Sequence, residues 1–337
     1  MGKNIGKQSI VFENAPYIVS GGTIVGKKEG EGPLKNTFDE IENDATFGGK
    51  NWEEGESVLQ TRTVRLAIAK ACMEERDIRY IFAGDLLGQL IATTYGVKEL
   101  DIPLFGVYGA CSTMGESMGL AAMTVAAGYA DNVVAMASSH FGSAEKTFRF
   151  PLEYGTQRPF STTWTVTGCG ATVISNKKGF ARITGITTGK IVDYGFKDSL
   201  NMGAVMAPAA ADVINCHFKD FNRKPDYYDK IITGDLGYVG KKILIDFMRM
   251  KGYDISENHY DCGLEIYDMD KQDTHAGGSG CGCSATVLCG DVYSKLFKKE
   301  WKRVLFVPTG ALMSTVSHNE GRSVPAIAHC VVIESEE

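Results

Sequence analysis

Apolar residues along this chain fall in short blocks, each closed by Gly, Asp, Asn or Pro, with longer stretches of small or mixed residues between them. YIFAG (80–84), VVAMASS (133–139), ATVIS (171–175), KIIT (230–233) and VLFV (304–307) are blocks of this kind. Continuous apolar runs of roughly four to eight residues bounded by turn residues predict buried strands. Between VYGA and VVAMASS, Cys111 leads into STMGESMGLAAMTVAAGYA, a stretch of mostly small residues with almost no charge after Glu116. That pattern predicts a helix buried all round at the centre of a layered fold. Gly115, Gly119 and Gly128 each cost such a helix roughly 1 kcal/mol relative to Ala. Another element is therefore expected to approach it closely.

The pattern occurs twice. YIFAGDLLG (80–88) and KIITGDLGYVG (230–240) are an apolar strand followed by Gly-Asp-Leu, 150 residues apart. VVAMASSHFG (133–142) matches VLFVPTGALM (304–313) at an offset of 170, and the same offset sets Cys111 of GACSTMG on Cys281 of GGSGCGCSA. ATVISNKKGFARITG (171–185) and AIAHCVVIESEE (326–337) close the two series. Three matches in order imply an internal duplication, with halves at 1–186 and 187–337. Each half is an α/β unit with a mixed sheet. The charged stretch Asp254 to Asp273 is expected to be an insertion on the surface.

Composition narrows the function. The 337 residues are 44% hydrophobic and 23% charged, an ordinary globular balance. With 35 basic against 41 acidic residues and no long basic run, there is no electrostatic footprint for nucleic acid. The longest apolar stretch, Met118 to Ala130, is shorter than the ~20 residues that span a bilayer, and the N-terminus carries no apolar signal segment. Any membrane association is expected to be peripheral. Nine cysteines in mostly apolar or glycine-rich settings suit reduced thiols better than a disulfide framework.

Cys111 is the first candidate for chemistry, since a helix start favours a thiolate or a bound anion. Asp85 reads either as a cap ending its strand or as a pocket residue; its twin Asp235 has the same local sequence, which favours a role common to both halves. His140 follows the VVAMASS strand and reads as a loop histidine or a site residue. His275, Cys281 and Cys283 supply three ligands at a spacing unlike zinc knuckles. THAGGSGCGCS lacks the GK[ST] ending of a P-loop, so the loop is read as backbone packed close to a ligand, with His275 as a pocket residue.

A duplicated α/β unit with a cysteine heading a buried helix resembles the thiolase superfamily, and within it the ketoacyl synthase III type. TVTGCGATVIS (165–175) is similar to that family's glycine-rich strand entry and VLFVPTGALMS (304–314) to its late glycine turn. QRPFSTTWTVTGCGA (157–171), IITGDLGYVG and THAGGSGCGCSA (274–285) resemble, more narrowly, a dipicolinate-binding stage V sporulation family of spore formers. The resemblance implies a thiolase-like fold of two pseudo-symmetric layered α/β halves with mixed sheets, and a pocket between them with Cys111 at its floor.

Superfamily enzymes pair the cysteine with His plus Asn, or two His, from the second half. Here Gly234 or Asp235 stands where the first histidine is expected, and about Ser279 where the Asn is expected. A carboxylate there opposes an oxyanion, so the resemblance implies a catalytically degenerate protein that binds dipicolinic acid (pyridine-2,6-dicarboxylate) and supports its uptake into the developing spore. Arg158 and Trp164 offer a guanidinium and an indole to an aromatic dicarboxylate, with Lys146 and Arg149 as alternative cations. Asp85, if it lines the pocket, would favour the neutral calcium chelate; no other cofactor is implied. The implied partners are the stage V sporulation A membrane proteins and a second copy of the chain in a homodimer. The implied location is the spore, peripheral at its inner membrane or cytoplasmic. The competing reading is an acyltransferase that uses Cys111, with His275 in the vacant histidine role; a scaffold with a dead pocket is the third.

Overall fold

The computed structural model describes residues 2–148 and 158–336. The apolar blocks become strands of two five-stranded half-sheets. From edge inward, the first runs Leu104–Gly106, Tyr80–Gly84, Asn132–Ser139, Gly168–Ser175, Tyr17–Gly26. The second runs His259–Asp261, Lys230–Thr233, Arg303–Val307, Cys330–Ser335, Ala181–Thr187. In both, the first three strands are parallel and the next two pairings antiparallel. The two series of strands thus share one mixed pairing pattern. The half-sheets join where Ala181 and Arg182 pair with Ile18 and Tyr17.

Helices match as well. Trp52–Lys70 and Met202–Asp220 are both 19 residues long and 150 positions apart. Each begins at an asparagine whose side chain accepts an amide of the first turn, Asn51 from Glu54 and Asn201 from Ala204. The helices Thr113–Ala126 and Cys281–Val287 pack together in the middle layer.

Three expectations need correction. A boundary after residue 186 cuts through the strand Ala181–Thr187, which pairs with Cys330–Ser335. The segment 254–273 is no surface excursion. It supplies the edge strand His259–Asp261, and Ile255, Tyr260, Cys262, Ile266 and Tyr267 are buried. Thirdly, the central helix is not buried all round: Leu120 and Met123 reach solvent. Of its glycines, Gly115 is the one that close packing demands, since a Cβ there would lie 2.6 Å from Pro308 Cγ. Gly128, at φ +78°, lies beyond the last helical residue and terminates the helix.

Candidate functional site

The chain enters the central helix through a tight turn at Ala110–Ser112 that carries Cys111. Ala110 sits at φ +50°, a left-handed conformation that costs a β-carbon-bearing residue about 1 kcal/mol or more. The turn is held by Ser112 Oγ donating to Gly109 O (2.7 Å) and Thr113 Oγ1 to Ala110 O (2.6 Å). Strand Thr309–Ala311, from the predicted glycine turn, presses on it so closely that a Cβ on Gly310 would lie 2.0 Å from Gly109 O.

Cys111 is half-buried at a pocket of about 700 Å³ including its mouth. Leu86, Phe148, Leu200, Met202, Met206 and Met313 form apolar walls, and Tyr108, Thr163, Thr165, Ser199 and Ser279 bring hydroxyls. Glu145 also lines it, and among the described lining residues there is no histidine, lysine or arginine.

The Cys111 thiol faces the carboxyl of Asp235 closely enough for each to shift the other's ionisation. Asp235 is fully buried and accepts from Gly280 N (3.0 Å), Ser279 Oγ (3.2 Å) and Thr309 Oγ1 (3.4 Å). Burial outweighs these donors and pushes its carboxyl up to about 7. Burial and the facing Asp235 together push the Cys111 thiol well above its ordinary range. The expectation that a helix start would favour a thiolate therefore fails: desolvation and a like-charged neighbour exceed the helix dipole, whose benefit is roughly 0.3–1 kcal/mol.

The other predicted residues disperse. Asp85 is buried, but its carboxylate accepts from Leu87 N (2.7 Å), Thr93 N (2.8 Å) and Thr93 Oγ1 (2.6 Å), and it does not line the pocket. It is a cap, and its sequence twin Asp235 plays a different part. The capping role in the second half falls to Asp261, which accepts from Leu236 N (2.9 Å) and Gly237 N (3.0 Å). His140, Arg158 and Trp164 line a neighbouring cavity. His140 is committed there: Gly142 N donates to Nδ1 (3.1 Å), Nε2 meets Ala45 O (2.6 Å), and burial lowers its pKa. His275 lies outside both, with Nε2 3.1 Å from Asp273 Oδ1 and Nδ1 3.0 Å from Pro159 O.

Cys281 and Cys283 donate to Ser138 O (2.8 Å) and Gly234 O (3.4 Å), so they do not converge with His275. Lys146 is paired with Glu53 at 2.8 Å, and Arg149 lies outside the described residues. Sequence reasoning missed Tyr108 and the Met202/Met206 wall. The i, i+4 spacing of the two methionines was an available signal.

The family described as stage V sporulation protein AD matches residues 6–334. Stage V sporulation protein AD of Bacillus subtilis (strain 168) is 44% identical over 332 residues, covering 98% of both chains. Among solved structures, 3-oxoacyl-[acyl-carrier-protein] synthase III from Aquifex aeolicus VF5 is similar with a TM-score of 0.59 at 12% identity, over 95% of this chain and 100% of that one. The 3-oxoacyl-(acyl carrier protein) synthase III of Pseudomonas aeruginosa PAO1 gives 0.57 at 11%, over 96% and 99%. At such identities the structural likeness establishes the thiolase-like fold. Among the described residues no helix is long and apolar enough to cross a membrane.

Proposed function

The chain belongs to the stage V sporulation protein AD family, and from that premise we propose that it is a catalytically degenerate sporulation protein that binds dipicolinic acid in the Cys111 pocket. The observation that carries this reading is the Cys111–Asp235 pair. A thioester enzyme needs a thiolate and a cation or amide donor for the oxyanion; a thiol facing a buried carboxyl provides neither. The same arrangement suits an acidic guest at neutral or lower pH. A pyridine ring would rest on the leucine and methionine walls, and its carboxylates would accept from Tyr108, Thr165 and Ser199. Burial pushes the Tyr108 hydroxyl up to about 12, which keeps it a donor.

The sign of the pH effect follows. Below about 7 Asp235 is protonated and neutral; as pH rises through that value it gains a charge that repels a dianion. Dipicolinate affinity measured by calorimetry is expected to fall by about tenfold or more between about pH 6 and 8, and Asp235→Asn is expected to flatten the profile. Because Asp85 is tied to Leu87 and Thr93, the guest in this reading is the free acid. Repeating the titration with calcium is expected to give no gain. Incubation with acyl-coenzyme A is expected to leave Cys111 unmodified by mass spectrometry; an acylated Cys111 with turnover would establish the acyltransferase instead.

In the cell this binding would support dipicolinate uptake into the spore, with the protein peripheral at the inner membrane beside the stage V sporulation A membrane proteins. We further propose a homodimer formed through the edge strand Leu104–Gly106. Leu104 and Phe105 are 38% and 52% exposed, and the strand pairs with Tyr80–Gly84 on one side alone among the described residues. An exposed apolar edge of this kind is a template for pairing. Phe105→Glu is expected to convert the dimer to monomer in sedimentation; a monomeric wild-type chain would dismiss the interface.

A further inference from the structure

Beside the Cys111 pocket, on the other side of Glu145, lies a cavity of about 1480 Å³ including its mouth. Lys27, Lys28, Trp52, Phe141, Arg158 and Trp164 line it, together with the carboxyls of Glu29, Glu145 and Asp273. Phe141 stacks on Trp164 with centroids 4.0 Å apart and planes at 7°. Lys28 Nζ is 4.2 Å and Arg158 Cζ 4.9 Å from the Trp164 ring. Two cations are thus gathered against one indole, an arrangement that like-charge repulsion opposes unless an anion belongs between them.

Arg158 is the telling member. Its side chain is nine-tenths buried, and Nη1 has no hydrogen-bond partner among the described residues. A buried donor left unpaired is expensive, and in native structures it commonly marks a ligand. Nη2 donates to Asp273 Oδ2 (2.8 Å) and Asp273 O (3.1 Å), but the Asp273 side chain is 75% exposed. An exposed carboxylate is a weak competitor. Once it yields, the guanidinium presents both terminal nitrogens to an incoming acid, the fork that carboxylates and phosphates accept bidentately.

Glu29, a second acid beside Lys28, accepts from Thr167 N and Tyr267 Oη and is held by those donors. Trp52, 37% exposed, lies flat on the chain at Gly142, where any Cβ would sit 2.4 Å from the indole.

We propose that this cavity is a second ligand site, separate from the Cys111 pocket, for a small organic anion that joins an apolar ring to a carboxylate or phosphate group. The anionic group pairs with Arg158 and Lys28, and the ring lies against Trp52. The experiment is calorimetric titration of the full chain with benzoate, phenyl phosphate and inorganic phosphate. Saturable binding of phenyl phosphate or benzoate, tighter than inorganic phosphate, is expected; whichever ring compound binds tighter identifies the acid group.

Arg158→Leu is expected to weaken binding by about tenfold or more. Lys28→Met carries the same expectation if the first variant does not fold. Met313→Phe, which narrows the Cys111 pocket and does not line this cavity, is expected to leave these affinities unchanged. Absence of saturable binding overturns the proposal, as does an affinity untouched by Arg158→Leu and Lys28→Met or lost in Met313→Phe.

Discussion

Gly310→Val is expected to cost about 3 kcal/mol or more of folding stability, read as a lower urea midpoint, and to abolish dipicolinate binding even where the chain still folds. The reason lies in backbone contacts that cannot give way. A Cβ at position 310 would stand 2.0 Å from Gly109 O and 3.0 Å from Ser112 N. These two atoms bracket the turn that holds Ala110 at φ +50° and aims Cys111 into the pocket. To admit a side chain, either strand Thr309–Ala311 must leave its pairing with Ala326–Ala328 or the turn must move. The first breaks sheet hydrogen bonds. The second withdraws Cys111 from Asp235. Gly119→Ala, on the same central helix, is the comparison: its Cβ would meet nothing closer than Ile186 Cδ1 at 3.9 Å, so the urea midpoint is expected to rise, by a stability gain of about 1 kcal/mol. Equal stability of Gly310→Val and the wild type would refute the claim that the late glycine turn exists to let the two halves close on the cysteine.

That glycine turn was legible in the sequence, as were the order of strands and the placing of Cys111 at a helix start. All depend on local spacing. What was not legible depends on residues distant in the chain. Asp85 and Asp235 share a Gly-Asp-Leu setting, yet one accepts from its own following turn and the other from Gly280 and Thr309. No local pattern separates them.

Trp164 illustrates a second limit. It belongs to a short strand, Trp164–Thr165, paired with Gly278–Ser279. Neighbouring residues of a strand point to opposite faces, so Trp164 opens on the Arg158 cavity and Thr165 on the Cys111 pocket. One stretch of sequence thus serves two cavities. In the segment 254–273, finally, scattered charges mask an apolar set, Ile255, Tyr260, Ile266 and Tyr267, that becomes apparent only once the edge strand has a neighbour to pair with.

A large pH effect on stability is expected from Glu56, which no sequence pattern singled out. It lies on the buried face of helix Trp52–Lys70 and accepts from Ser138 Oγ and Ser143 Oγ, both at 2.8 Å. Gln60 Nε2 extends the network to Ser138 and to Thr93, which holds Asp85. Burial, reinforced by the charge on Asp85, pushes the Glu56 carboxyl up to about 8. The folded chain therefore keeps a proton that the unfolded chain releases near its ordinary value of 4.5. Between those values the folded state binds more protons, so stability falls as pH rises from about 4.5, and the full loss is reached above about 8. A tenfold difference in proton affinity between the folded and unfolded chains corresponds to about 1.4 kcal/mol, so the effect is on the order of several kcal/mol. Glu56→Gln keeps the shape and an acceptor for a serine hydroxyl but has no proton to lose. Urea unfolding from about pH 5 to 9 is expected to give a steep decline for the wild type, a shallower one for Glu56→Gln, and a crossing beyond which the variant is the more stable. Parallel declines would mean that Glu56 stays ionised, and that the Glu56–Asp85 network stabilises the fold as a charged cluster.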